Sequence, residues 1–179
     1  MPEISENDQT EAIAKSAARS GDAWQQTLED MDGLATRREE LGWETVCIAA
    51  GDTGTETPDA GDTDRYGLVH VIPGNEADAF RDAFGRGEFP RYDVYRGTTE
   101  SWAFLVTELL DPGTETAIYI AGSFMAIEAR ELAVEARARE QMYTHVQKLD
   151  GTHLGSFEHD GYEKFFPEAD RIVETLGDE

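Results

Sequence analysis

Residues Ser101–Phe124 read SWAFLVTELLDPGTETAIYIAGSF, and this stretch decides the fold. Two apolar runs, Trp102–Leu110 and Ala117–Gly122, flank the polar sequence Asp111-Pro112-Gly113-Thr114. Proline presets the φ angle of the second residue of a turn, and glycine accepts the positive φ that a type II turn needs at the third. The stretch therefore predicts a β-hairpin.

The hairpin register predicts which side chains share a face. Pairing Leu110 with Glu115 in antiparallel register assigns the side chains alternately to two faces. The first face then carries Trp102, Phe104, Val106, Glu108, Ala117, Tyr119, Ala121 and Ser123, and the second carries Ala103, Leu105, Thr107, Leu109, Thr116, Ile118, Ile120 and Gly122. Both faces are mostly apolar, so we expect the hairpin at the centre of a sheet that is covered on both sides. An N-terminal helix and a helix at 125–139 are the candidates for one cover, and a folded-over sheet or a partner subunit for the other.

The rest of the chain predicts helices and strands around this hairpin. Apolar spacing predicts helices at about 9–41, 76–84, 125–139 and 168–176, and strands at 42–50, 66–72, 92–95, 142–149 and 152–158. Short connections between neighbouring strands favour antiparallel pairing. We therefore predict an α+β fold with a mostly antiparallel sheet of about six or seven strands and helices packed on it. The order ββαβ occurs at about 44–96 and again at 102–149, which suggests pseudo-duplicated units.

The length of the chain suits one domain over residues 1–179. A chain of this size buries roughly 70% of the surface that its unfolded form exposes, so it needs no metal or disulfide for stability. Residues 1–8 are expected to fray, and the polar stretch 51–65, GDTGTETPDAGDTDR, is expected to be a mobile acidic loop. The one cysteine, Cys47, lies in a predicted strand and is interpreted as a small core residue.

Charge is the dominant global property of the chain. It has 38 acidic and 15 basic residues, a formal net charge of −23. Such a surface is typical of salt adaptation, and the alternative is an acidic mimic that sequesters a basic partner. The sequence contains no basic stripe, so we expect no nucleic-acid partner. It also contains no apolar run near the roughly 20 residues that span a bilayer and no signal peptide, so we expect a cytoplasmic protein without a membrane partner.

The acidic bias, the scarcity of lysine and the loop sequence GDTGTETPDAGDTD resemble those of small conserved haloarchaeal proteins of unknown function. This resemblance is one of composition. It implies a halophilic, archaeal origin and brings no catalytic residues with it.

Three histidines near the C-terminus form the first candidate site. Pairing Leu149 with Thr152 predicts that His145 and His153 point to opposite faces of a hairpin. His153, His159 and Asp160 could then converge as metal ligands if the strand bends after Glu158. The alternative is that these histidines are solvated surface residues. His70, in the strand sequence LVHVI, is interpreted as a satisfied core histidine.

A second candidate site combines aromatic and basic residues that could bind an anion: Arg91, Tyr92, Tyr95 and Arg96, with Trp102 nearby in sequence. The alternative is an edge strand whose arginines pair with some of the many acidic residues.

No nucleotide-binding or hydrolase motif occurs in the sequence, so the catalytic residues are unknown and we expect no cofactor. The first hypothesis is a non-catalytic interaction or small-ligand-binding domain that can form a homodimer. The alternatives are a metal-dependent enzyme that uses the C-terminal histidines and the acidic mimic.

Overall fold

The computed structural model describes residues 2–57 and 66–177, and for residues 2–20, 173 and 175–177 it describes the backbone only. Within these ranges the chain forms four α-helices and eight β-strands. In chain order they are α1 (Pro2–Glu40), β1 (Glu44–Ala49), β2 (Asp52–Glu56), β3 (Gly67–Ile72), α2 (Gly74–Phe84), β4 (Arg91–Thr98), β5 (Trp102–Asp111), β6 (Thr116–Met125), α3 (Arg130–Arg139), β7 (Gln141–Lys148), β8 (His153–Asp160) and α4 (Ala169–Gly177). None of the described helices is long and apolar enough to cross a membrane.

The strands form two four-stranded sheets. The first has the order β1-β6-β5-β4 and the second the order β2-β3-β7-β8. Strand β1 is parallel to β6, β3 is parallel to β7, and the other neighbours are antiparallel. The predicted α+β class is confirmed, but the prediction of one mostly antiparallel sheet of six or seven strands is wrong in detail. Short connections reveal hairpins, whereas both parallel pairs join strands that are far apart in sequence.

The additional strand lies in the stretch 51–65 that was predicted to be a loop. Strand β2 pairs with β3, and it places Thr53 opposite His70 and Thr55 opposite Leu68. Threonine is β-branched and suits a strand even where the sequence is polar. Residues 58–65, the rest of the predicted mobile loop, lie outside the described residues.

The central hairpin is formed by β5 and β6, and the prediction of its faces is confirmed. Its register differs, because Asp111 pairs with Thr116 and Leu110 pairs with Ala117 instead of Glu115. The turn has four residues, and Glu115 closes it with a φ of 53°. A shift of two residues leaves every side chain on its predicted face, since side chains alternate with a period of two.

Both faces of the hairpin are covered, as predicted. Helix α1 covers one face, where Met31 and Ala35 pack against Val106, Tyr119 and Ala121. The second sheet folds over the other face and forms a common core between the sheets. This core includes Leu109, Ile118 and Ile120 of the hairpin, Ile72 and Val146 of the second sheet, and Phe80 of α2.

The other end of the space between the sheets is closed by α3 and the segment before α4. Leu132 and Ala136 of α3 pack with Leu105, and Phe165 and Phe166 are buried beside them. Helix α1 begins at Pro2, so residues 2–8 have a helical backbone, and their fraying stays a prediction.

The predicted repeat is present as a pattern of connections. The orders β2-β3-α2-β4 and β5-β6-α3-β7 each contain a hairpin, a helix and a strand that joins the other sheet. The first unit begins at β2 and not at residue 44, because β1 belongs to the sheet of the second hairpin.

Candidate functional site

A β-bulge changes the predicted geometry of the C-terminal histidines. Strand β8 pairs with β7, and His145 lies opposite Ser156 as predicted. The register then shifts between Val146 and Gln147, so that His153 lies opposite Gln147. The prediction that His145 and His153 point to opposite faces is therefore wrong. Their rings lie on the same outer face of the second sheet, with centroids 6.1 Å apart.

These two histidines belong to a chain of hydrogen bonds. His145 Nε2 lies 2.8 Å from the backbone carbonyl oxygen of Tyr66, which can only accept. Nε2 therefore carries a hydrogen, and Nδ1 lies 2.7 Å from the Ser156 hydroxyl oxygen. The same hydroxyl oxygen lies 3.0 Å from His153 Nε2. The chain links the residue before β3 to β7 and β8 and explains why His145 is buried with a polar ring.

The three residues predicted as weak metal ligands are not brought together. His159 faces the core, where its Nε2 lies 2.8 Å from Thr144 Oγ1 and its ring contacts Tyr92. His153 and Asp160 are exposed at opposite ends of β8, which runs without the predicted bend after Glu158. His153 and His159 are six residues apart on this strand, a separation of roughly 20 Å. Among the described residues, no group of three His, Cys, Asp or Glu side chains is placed to hold a metal ion.

Burial controls the protonation of His159. Loss of solvation, together with the nearby His145 and Lys164, lowers its pKa to about 3. The ring is therefore neutral at physiological pH. A neutral ring suits its position between Tyr92 and Phe165 in the core.

The aromatic and basic residues of the second candidate site are dispersed. Strand β4 is an edge strand, and Arg96 binds Glu168 at 3.0 Å. Tyr92 packs inward against Phe165, whereas Tyr95 is exposed. Trp102 lies at the opposite end of this region from Arg91, because β4 and β5 are antiparallel and Thr98 pairs with Ala103. The five residues therefore do not form one anion site.

Cys47 occupies the position that the sequence predicted. It is half-buried in β1 beneath α1 and packs beside the cluster of Met31 and Tyr119. Burial, together with the carboxylates of Asp32, Glu39 and Glu76, raises the pKa of its thiol to about 11. The thiol is therefore protonated at neutral pH and is a poor nucleophile.

A cavity of about 490 Å³ lies where β1 ends, and we call it the tryptophan pocket. Strand β1 pairs with β6 only as far as Ala49 and Ala121, although β6 continues to Met125. The chain crosses at Gly51 to the second sheet and leaves a gap beneath α1. The residues that define the pocket are Trp24, Gly51, Asp52, Thr53, Trp102 and Ser123, together with the end of β1.

The polar groups of the tryptophan pocket are only partly satisfied. The indole Nε1 of Trp102 is buried and has no hydrogen-bond partner in the protein. A buried donor without an acceptor costs about 1–3 kcal/mol, so this N–H calls for an explanation. Asp52 is exposed, and Ser123 is half-buried. None of the described residues that line the pocket is lysine or arginine.

His70 lies directly beneath the pocket. It is completely buried, and its Nδ1 is 2.9 Å from the hydroxyl of Thr53, which lines the pocket. Its Nε2 has no partner, so the prediction of a satisfied core histidine holds for only one ring nitrogen. Burial lowers the pKa of His70 to about 4, and His145 contributes to the shift. The imidazole is therefore neutral at physiological pH.

Two other cavities have less of the character of a ligand site. The cavity between α1 and β4 has a volume of about 190 Å³, below the range of about 300–1,000 Å³ that small-molecule sites occupy. The cavity beside Ile127 has about 500 Å³, but Glu168 in its wall is already paired with Arg96.

Residues 10–167 match the model of a family of unknown function, DUF7529. This chain belongs to DUF7529. The matched range includes every residue of the tryptophan pocket and the hydrogen-bonded histidines of the second sheet. Neither the search of curated proteins nor the search of solved structures found a match, so the function of this DUF7529 protein is unknown.

Sequence reasoning missed the tryptophan pocket because five separate elements build it. Trp24 lies in the helix predicted at about 9–41, and Trp102 was predicted on the first face of the central hairpin and beside the arginines of β4. The one signal in the sequence was the step from the apolar β1 to Gly51-Asp52-Thr53, which is polar and begins with a glycine.

Proposed function

We propose that this DUF7529 protein binds a small molecule non-covalently in the tryptophan pocket. The observation that carries the proposal is a cavity of about 490 Å³ lined by two tryptophans, of which Trp102 has a buried indole N–H without a partner. Small-molecule sites combine aromatic walls with a few polar groups that fix the orientation of the ligand. Two tryptophans, two hydroxyls and one carboxylate supply that combination here.

Binding without catalysis fits the chemistry of the pocket better than an enzyme does. Thr53 and His70 resemble a nucleophile with its base, at 2.9 Å. A general base works best when its pKa lies near the working pH, whereas the pKa of His70 is lowered to about 4. No acceptor is bonded to His70 Nε2 to stabilise an imidazolium ion. The pair therefore supports the floor of the pocket and is a weak proton acceptor.

A thermal-shift screen tests the proposal. A panel of amines, carboxylates, sugars and nucleosides would be compared on the wild type and on Ser123→Phe, which places a ring in the pocket. We expect at least one class to raise the melting temperature of the wild type in a saturable way and to have no effect on the variant. The proposal is wrong if no class stabilises the wild type, or if each stabilising compound acts equally on Ser123→Phe.

The broader hypotheses drawn from the sequence stay proposals. The net charge of −23 supports a halophilic, archaeal protein that works as one domain in a salt-rich cytoplasm. A homodimer remains a prediction that size-exclusion chromatography with light scattering would test. Metal content of the purified protein would test the metal-dependent enzyme, and the distribution of acidic residues over the surface would test the acidic mimic.

A further inference from the structure

We propose that the ligand of the tryptophan pocket is a small organic cation that carries an alkylated ammonium group and an oxygen acceptor. This inference rests on the proposed function and specifies the chemical class of the ligand. Three independent properties of the pocket support it: its two tryptophans, its charge and its unpaired donor.

The two tryptophans of the pocket suit a cation. Trp24 of α1 and Trp102 of β5 both line the pocket. The face of an indole ring attracts a cation through its quadrupole, and tryptophan does so more strongly than tyrosine or phenylalanine. The third tryptophan, Trp43, already has such a partner, since the guanidinium carbon of Arg38 lies 4.8 Å from the centre of its ring. Among the described lining residues of the tryptophan pocket, no side chain supplies a corresponding cation to Trp24 or Trp102.

The charge of the pocket selects the sign of the ligand. Asp52 is the charged side chain among the described lining residues, and it is an exposed carboxylate. The chain as a whole carries a net charge of −23, which raises the local concentration of cations and repels anions. An anionic ligand would meet this potential without a basic side chain from the described lining.

The unpaired donor requires an oxygen on the ligand. Trp102 Nε1 can only donate a hydrogen bond, so an ammonium group cannot satisfy it. A hydroxyl, ether or carboxylate oxygen on the same molecule can accept from it, and the hydroxyl of Ser123 lies in the same pocket. A quaternary ammonium compound with a short oxygen-bearing arm meets all three requirements.

Three probes of similar shape and different charge test the inference. Choline is the cation, 3,3-dimethylbutan-1-ol replaces its ammonium nitrogen with carbon, and 3,3-dimethylbutanoate carries a negative charge. Each would be titrated at the same salt concentration, with binding followed by tryptophan fluorescence. Cation–π attraction and the carboxylate of Asp52 together predict that choline binds about tenfold more tightly than the neutral probe.

Three variants locate the binding. Asp52→Asn removes the charge and keeps the shape, so we expect choline affinity to fall about threefold to tenfold while that of the neutral probe stays unchanged. Trp102→Phe removes the N–H donor and weakens both alcohols. Trp43→Phe is the matched control, because Trp43 lies at the opposite end of β1, roughly 20 Å away, and should leave every affinity unchanged. Circular dichroism confirms that each variant is folded.

The possible results separate this inference from the proposed function. Equal or tighter binding of the neutral or anionic probe, abolished by Ser123→Phe, would overturn the cation inference and leave a small-molecule site in place. Choline binding that is unaffected by Asp52→Asn would also overturn it. If none of the three probes binds, the cation inference is wrong, and the wider thermal-shift screen decides independently on the proposed function.

Discussion

Replacing Gly122 with alanine tests how the second sheet sits on the central hairpin. A Cβ atom at this position of β6 would lie 2.6 Å from Thr53 Oγ1 and 2.7 Å from His70 Cε1. Both distances are shorter than a carbon atom tolerates. His70 is fully buried between the sheets and cannot swing into solvent. The methyl group must therefore displace the pair that forms the floor of the tryptophan pocket.

The expected loss of stability follows from three terms. Overpacking a core costs about 1–3 kcal/mol. Disturbing the hydrogen bond between Thr53 and His70 adds about 0.5–1.5 kcal/mol. Replacing glycine by alanine stiffens the unfolded chain and returns about 0.4–1 kcal/mol. We therefore expect Gly122→Ala to lower the free energy of unfolding by about 0.5–4 kcal/mol.

Urea unfolding in molar salt measures this effect, because urea is uncharged and leaves the ionic strength fixed. Gly54→Ala is the matched control, since its Cβ would lie 4.0 Å from the nearest atom, an ordinary contact. It should raise the free energy of unfolding by about 0.4–1 kcal/mol, because only the stiffening of the unfolded chain applies. Repeating Gly122→Ala in a His70→Ala background should cost at least about 1 kcal/mol less, because the ring is gone.

A Gly122→Ala variant as stable as Gly54→Ala would contradict this prediction. An equal cost of Gly122→Ala with and without the His70 ring would contradict it as well. Either result would mean that the second sheet does not lie against Gly122 at the distance described.

Three further predictions concern hydrogen bonding, pH and salt. The Tyr119 hydroxyl donates a hydrogen bond of 2.8 Å to Glu108 Oε2, and Glu108 is only 4% exposed beneath α1. Tyr119→Phe removes this donor and should lower the free energy of unfolding, measured in urea, by about 1–3 kcal/mol. An unchanged urea midpoint would contradict this prediction. The pKa of His70 is lowered to about 4, so on acidification the unfolded chain binds a proton at this residue before the folded protein does. The free energy of unfolding is therefore unaffected by protonation of His70 above pH 6.5, and it falls by about 1.4 kcal/mol per pH unit between pH 6.5 and about pH 4. His70→Gln should reduce the measured slope by that amount, and an unchanged slope would count against it. Finally, the melting temperature should rise from low to molar salt because salt screens the repulsion among acidic residues, and a constant melting temperature would argue against salt adaptation.

The parts of the fold that could be predicted from the sequence are those set by local patterns. Successive side chains of Trp102–Leu110 point to opposite faces of the strand, which predicted the two faces of the hairpin. Both faces are mostly apolar, which correctly predicted that each face is covered. The register could not be predicted, since Glu115 adopts a positive φ that its side chain does not suggest. The turn therefore extends two residues beyond the pattern of Pro112-Gly113.

Long-range pairing was beyond local patterns. The pairing of β1 with β6 joins Glu44 to Thr116, and the sequence of neither strand indicates which strand is its partner. Strand β2 was missed because its residues are polar, although the threonines at 53 and 55 alternate as a strand requires. The apolar environment of β2 is supplied by the central hairpin, which lies far from β2 in the sequence.

The candidate site depended on features that have no signature in the sequence. The bulge after Val146 brought His153 onto the face of His145, which a regular register had excluded. The tryptophan pocket joins α1, β2 and the central hairpin, so its existence depends on how the two sheets cross.

The indole resonances of the three tryptophans test whether a ligand binds at Trp102. In a ¹H–¹⁵N spectrum of the labelled protein, each Nε1–H group gives one signal, assigned with single Trp→Phe variants. We expect titration with choline to shift the Trp102 signal downfield in a saturable way, because the ligand oxygen accepts its hydrogen bond, while the Trp43 signal stays in place. A Trp102 signal that does not move with choline, or with any compound that stabilises the protein, would contradict ligand binding in the tryptophan pocket.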